Sequence, residues 1–130
     1  MTAPIFWLTA TLAMTALFWL PYTVNRISVQ GLNANTAGAS PTAHARADWA
    51  ERAMKAHQNG VENLVVFAPL VLITAHLGIN PPFLGVCAAI YFFASLVHFV
   101  VSTAGIGLFR TLAYATSWAM QLVFVFAILQ

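Results

Sequence analysis

Four apolar segments dominate this sequence, each close to the roughly 20 residues that a helix needs to cross hydrocarbon. They predict helices over about 4–27, 48–77, 83–103 and 108–129. Between them lie short, turn-forming stretches. Gly78-Ile79-Asn80-Pro81-Pro82 reads as a tight turn, and Ala104-Gly105-Ile106-Gly107 as another. The helices flanking each short turn must be antiparallel neighbours in one bundle. The expected fold is all-α: an integral membrane four-helix bundle forming a single domain over 1–130.

Composition agrees with lipid as the main solvent. The chain is 61% hydrophobic and 6% charged, against roughly 25% charged in soluble domains. A formal net charge of +2 with scattered basic residues gives no footprint for nucleic acid, so no nucleic-acid partner is expected. Membrane lipids are the expected surroundings. The single cysteine, Cys87, lies in an apolar run and reads as a small core side chain. No metal site is expected.

The first segment superficially resembles a secretory signal, with residues 5–20 followed by Thr36-Ala37-Gly38-Ala39-Ser40. No Lys or Arg precedes it, and the small residues lie well beyond its end, so a retained span is expected. Pro21 should bend the end of that span. A polar connection over 25–46 follows, punctuated by Gly31, Gly38 and Pro41. The second helix should start near Asp48, a plausible cap or first-turn acid. It is amphipathic as far as Glu62 and then apolar. At about 30 residues and about 45 Å, its polar half should leave the membrane or line a cleft.

Orientation follows from the positive-inside bias. Arg26, Arg46, Arg52 and Lys55 flank the first connection and Arg110 sits by the third, whereas the termini carry no Lys or Arg. Both termini are therefore expected on the non-cytoplasmic side of a multi-pass protein.

Helical phase groups the polar residues. Asp48, Glu51, Arg52, Lys55, Gln58, Asn59 and Glu62 share an arc of about 120° on the second helix, with His57 nearly opposite. Asp48 and Glu51 read as a solvated face. Glu62 precedes a long uncharged stretch, where a carboxylate needs a cation or several donors, and Lys55 is a candidate. On the third span Tyr91, Ser95, His98 and Ser102 fall on one stripe; on the fourth, Arg110, Tyr114, Ser117 and Gln121 do the same. Ionisable groups at membrane depth face a bundle interior or cavity. Their convergence at the basic end favours an anionic, polar ligand near the cytoplasmic face. The plainer readings are an interhelical hydrogen bond for His98 and a snorkelling side chain for Arg110. His76 reads as an interfacial residue.

The run Arg52-Ala53-Met54-Lys55-Ala56-His57-Gln58-Asn59-Gly60-Val61-Glu62-Asn63 resembles the second-helix signature of the MAPEG family. These are the membrane-associated proteins of eicosanoid and glutathione metabolism, and the likeness is to a bacterial-type member. The resemblance extends to length, spans and orientation. It implies a homotrimer of four-helix subunits, the second helices nearest the threefold axis. Glutathione would bind between subunits at the cytoplasmic side, as co-substrate for attack on a lipophilic small molecule.

Residue by residue, the resemblance implies that Lys55 holds a glutathione carboxylate and His57 contacts the tripeptide. Asn59 and Glu62 would bind its backbone and amino group. Gln58 and His98 belong to the same expected glutathione-binding set. Arg26 matches the basic residue ending the first helix. Arg110, with Thr111 and Tyr114, resembles the segment whose Arg stabilises the thiolate, giving Arg110 the catalytic role. Ser95 and Ser102 stand where glutathione-using members tend to have Arg and Tyr, which leaves Arg110 as the obvious cation for a thiolate.

Two main readings follow. One is a glutathione-site protein with weak transferase or peroxidase activity toward lipophilic electrophiles. The other is a non-enzymatic relative holding a lipid or lipid-like ligand between subunits. A small transporter or proton relay through Glu62 and His98 is a third.

Overall fold

The computed structural model describes residues 1–31 and 47–130; Arg46, Gly38 and Pro41 of the polar connection lie outside them. The first span is made of α1 (Ala3–Leu17) and α2 (Trp19–Gln30), followed by α3 (Asp48–His76), α4 (Pro82–Ala104) and α5 (Gly107–Leu129). All four spans are long and apolar enough to cross a membrane, and the described residues contain no strand. The protein is an all-α, multi-pass integral membrane bundle.

The first span breaks at Phe18, earlier than the bend expected near its end. Pro21 explains the position. It has no N–H to offer the Leu17 carbonyl one turn back, and its ring crowds that carbonyl. The chain responds with a tighter turn, the Phe18 N–H bonding the Thr15 carbonyl at 3.2 Å. The helix then resumes and runs to Gln30, further than its apolar stretch.

Both short connections end a helix in the same way. Gly78 and Gly105 have positive φ, 71° and 83°. At Gly105 the backbone N–H bonds the Ser102 carbonyl, and the Ile106 N–H reaches back to Val101. Gly78 and Ile79 repeat the pattern on Ala75 and Thr74. Only a residue without Cβ takes this left-handed cap at no steric cost.

Inside hydrocarbon there is little hydrophobic drive to pack helices, so close fit and interhelical hydrogen bonds carry the association. The buried stripe of α3 changes along its length. At the end near the polar connection it is Ala50, Ala53 and Ala56; further in it is Leu64, Phe67, Val71 and Thr74. The alanines let neighbours approach, and Phe18 and Phe99 stack beside them with ring centroids 3.8 Å apart. Deeper, Phe67 stacks on Tyr91 at 3.6 Å and meets Phe124 edge-on. Large side chains such as Val65, Leu108 and Phe126 face outward, about two-thirds exposed. In water such a surface would drive aggregation; in a bilayer it is the solvated face.

Candidate functional site: a cationic cleft beside a polar interior

Near the end where α3 begins, three helices converge on a cleft lined by Arg52, Lys55, Ala56, Asn59, Ser102 and Arg110. Helix α3 supplies the first four at near-helical spacing. Ser102 comes from the last turn of α4 and Arg110 from the first turn of α5, brought together by the Gly105 cap. The lining contains three cations and no carboxylate.

Arg52 has a defined place in this arrangement. Its Nε donates to the Thr103 carbonyl at 3.0 Å, and its guanidinium packs against the open side of Gly105. A cation here satisfies the unpaired carbonyls of a helix C-terminus and opposes the negative end of its dipole. Ser102 is 5% exposed. Its hydroxyl is buried without a hydrogen-bond partner among the described residues. A buried hydroxyl in that state is costly unless a bound group satisfies it.

Behind the cleft, and sharing Ala56 and Asn59 with it, lies a narrow polar chamber inside the bundle. Thr15, Asn63, Tyr91, Ser95, His98 and Ser117 face it from four helices. The Gln121 side-chain amide donates to Asn63 Oδ1 at 2.5 Å and to the Asn63 carbonyl at 3.3 Å. The Tyr91 hydroxyl stands near the Ser95 and Gln121 side chains. The expected stripe on α4 is thus real and points inward, with Tyr91, His98 and Ser102 all buried. The stripe on α5 is split. Arg110 and Tyr114 are exposed, whereas Ser117 and Gln121 are buried.

Of the residues singled out from sequence, Lys55, Asn59 and Arg110 meet in the cleft. His98 lies in the adjoining chamber, close enough to Arg110 for that charge to act on its ring. The Tyr114 ring centroid is 5.9 Å from that of His98. His57 lies elsewhere, on the face of α3 that meets the broken first span. Its Nδ1 is 2.7 Å from the Tyr22 hydroxyl, and its ring also reaches the Thr15 carbonyl. Arg26 is partly buried on that same span, away from the cleft lining. Gln58, Glu62 and Thr111 are exposed, and the Thr111 hydroxyl turns back to the Gly107 carbonyl.

Glu62, for which the sequence asks a cation or several donors, faces out of the subunit, with no cation beside it among the described residues. Lys55 is two turns away on the same face, farther along the helix than the three- or four-residue spacing at which such side chains meet. Arg52 and Ser102 were not in the expected binding set. Arg52 shares the helical arc of Lys55 and Asn59, so phase alone could have placed it. The partnerless state of Ser102 has no signal in sequence.

The comparison with known families decides what kind of bundle this is. The family model for the MAPEG family matches residues 5–130, which includes every helix from its first turn onward. The chain belongs to the MAPEG family. This MAPEG protein is accordingly a membrane protein of the glutathione and eicosanoid metabolism family. No curated protein matches the chain.

Proposed function

We propose that the cationic cleft is a glutathione site and that the protein is a weak glutathione transferase or peroxidase acting on lipophilic electrophiles. The observation that carries this reading is the convergence of Arg52, Lys55 and Arg110 around the partnerless Ser102 hydroxyl, with Asn59 alongside. Glutathione is a small peptide with two carboxylates and a thiol. Lys55 offers a point charge to a carboxylate and Asn59 offers both a donor and an acceptor to peptide groups. Arg110 is always charged, and a thiol needs such a group nearby to exist mainly as the nucleophilic thiolate at neutral pH.

Glu62, Gln58 and Thr111 face away from the subunit, and His57 and Arg26 belong to its other side. One ligand touches both sets only if subunits share it, so the reading includes a homotrimer with the site between copies. A light-scattering mass of the detergent-purified protein tests this. A monomer or a dimer defeats it. The same reading sets both termini on the non-cytoplasmic side, because Arg26, Arg52, Lys55 and Arg110 gather at the opposite end. A reporter fused after Gln130 that works only in the cytoplasm overturns it.

The binding-only alternative, a lipid-like ligand between subunits, has one specific observation in its favour. Ser95 turns into the interior chamber, beside Tyr91. Helix α4 thus brings neither a cation nor a phenol to the cleft. Calorimetry of the detergent-purified protein with glutathione separates the readings. Saturable binding that weakens in Lys55→Ala supports the glutathione site, and no heat of binding favours the alternative.

A further inference from the structure

The Ser102 hydroxyl behaves unlike those of its helical neighbours. Thr103, Thr111, Thr116 and Ser117 each donate to the backbone carbonyl four residues back, a local bond open to any helical hydroxyl. Ser102 is buried, and its Oγ has no partner among the described residues. It lines the cationic cleft instead. A hydroxyl held in that state is costly unless an acceptor on a bound group meets it there.

Around that hydroxyl, donors come from three helices. Lys55 and Asn59 stand one turn apart on α3, and Arg110 stands in the first turn of α5. Arg52 commits its Nε to the Thr103 carbonyl, so its terminal nitrogens remain for a ligand. A carboxylate is planar and has two oxygens, too few to meet donors arriving from three sides. A phosphate group is tetrahedral, offers three strong acceptor oxygens and carries about −1.5 to −2 as a monoester at neutral pH. The lining holds no carboxylate to receive the ammonium of an amino acid. Its volume is about 50 Å³, and a water-sized group needs roughly 10–15 Å³. That is room for about four such groups, the oxygens of one phosphate, and not for a whole tripeptide. Helices α4 and α5 have 23 residues each, about 35 Å against a hydrocarbon core of about 30 Å. Their ends, where Ser102 and Arg110 sit, therefore reach the level of lipid headgroups.

We propose that this cleft binds one phosphate group, free or on a phospholipid headgroup, with Ser102 as the buried donor and Arg52, Lys55 and Arg110 supplying the charge. Arginine and lysine are the usual partners of phosphate, and hydrogen bonds to an ionised acceptor are about twice as strong as neutral ones. The cleft is the one assigned to glutathione, but phosphate binding does not depend on that reading. The inner cations take a phosphate whether or not a tripeptide also uses them.

The test titrates inorganic phosphate into the full chain in a neutral maltoside detergent, at constant ionic strength and without glutathione, and follows the phosphorus resonance. Binding should saturate at one phosphate per chain, and acetate at the same concentration should not displace it. Ser102→Ala should weaken binding about ten-fold or more, the loss expected for one hydrogen bond to a charged group. Lys55→Gln, at an exposed position that leaves the helix packing alone, should weaken it about five-fold, the factor one basic side chain supplies near an anionic headgroup. Phosphatidic acid added to the micelles should displace the ion if a headgroup is the natural source, while an equal charge of laurate should not. Phosphate that stays bound beside phosphatidic acid identifies the soluble ion as the source. No saturable phosphate binding, equal displacement by acetate, or unchanged affinity in both variants overturns the proposal. Calorimetry with glutathione is a separate measurement, so the two readings fail separately.

Discussion

Arg52 on α3 donates from Nε to the carbonyl of Thr103 at 3.0 Å, tying the polar half of the second span to the C-terminus of the third. The same side chain lines the cleft beside Lys55 and Arg110. One residue therefore links the stability of the α4 end to the charge of the site. Arg52→Ala removes the donor and leaves the last carbonyls of α4 without it. The expected loss is about 1.5–2 kcal/mol, the lower part of the range for a hydrogen bond to a charged group because Arg52 is only partly buried. Arg52→Lys should recover little of it, since a flexible ammonium does not reproduce the in-plane Nε donor. Thermal melting of the three proteins in one detergent checks this; equal midpoints would make the contact energetically idle.

A close helix crossing lies at the opposite end. A Cβ built on Gly85 of α4 would lie 2.8 Å from the Cβ of Ala3 at the start of α1. Neither atom belongs to a flexible side chain, so the helices themselves must move. Gly85→Ala should destabilise the bundle by about 1–3 kcal/mol, the usual cost of overpacking. Ala3→Gly combined with Gly85→Ala should recover part of that loss, because the two changes act on one contact. Additive effects in the melting temperatures would show that the crossing is not shared by this pair.

The interior chamber offers a third prediction. Tyr91 combines a stack on Phe67 with a hydroxyl set near the Ser95 and Gln121 side chains. Tyr91→Phe keeps the stack and takes the hydroxyl away from Ser95 and Gln121, at an expected cost of about 1–2 kcal/mol. Tyr91→Ala also opens a cavity and should cost about 3–5 kcal/mol. Denaturation in mixed micelles should rank the wild type above Tyr91→Phe, and that above Tyr91→Ala. Equal stability of Tyr91→Phe and the wild type would mean that the chamber supplies substitute partners.

What was legible in the sequence follows from the solvent. Because lipid satisfies no backbone groups, apolar length alone locates the spans, and Gly78 and Gly105 locate the turns. The inward stripe of Tyr91, His98 and Ser102 was legible because polar groups at depth must face inward. Three features were not. Pro21 marks a bend, but the break falls a turn earlier, where the carbonyl it orphans lies. His57 is opposite Lys55 by phase, yet nothing in the spacing shows that Tyr22 waits there. The charge on Glu62 argues for a partner, and none stands beside it among the described residues. Sequence phase gives the direction of a side chain, and only the packed helices say what it meets.

Arg110 carries the last prediction. It lines the cleft with Lys55 and Asn59 and stands at the head of α5, while Ser102 and Ser95 provide no cation or phenol from α4. Under the glutathione reading it is the donor that stabilises the sulfur anion. Its loss should then act mainly on the chemical step. Arg110→Ala should lower turnover by about 10²-fold or more, the penalty usual for one donor to developing charge. Affinity for glutathione should fall less, because Arg52, Lys55 and Asn59 still surround the ligand's carboxylates and peptide groups. Arg110→Lys should recover part of the rate, since charge returns without the planar donor geometry. The assay is conjugation of glutathione to an aryl halide, with reduction of a lipid hydroperoxide as the second reaction, on detergent-purified protein. Equal turnover in wild type and Arg110→Ala would take Arg110 out of the mechanism. A wild type no faster than the uncatalysed background in both reactions, with glutathione bound, would mean that the cleft binds without catalysing.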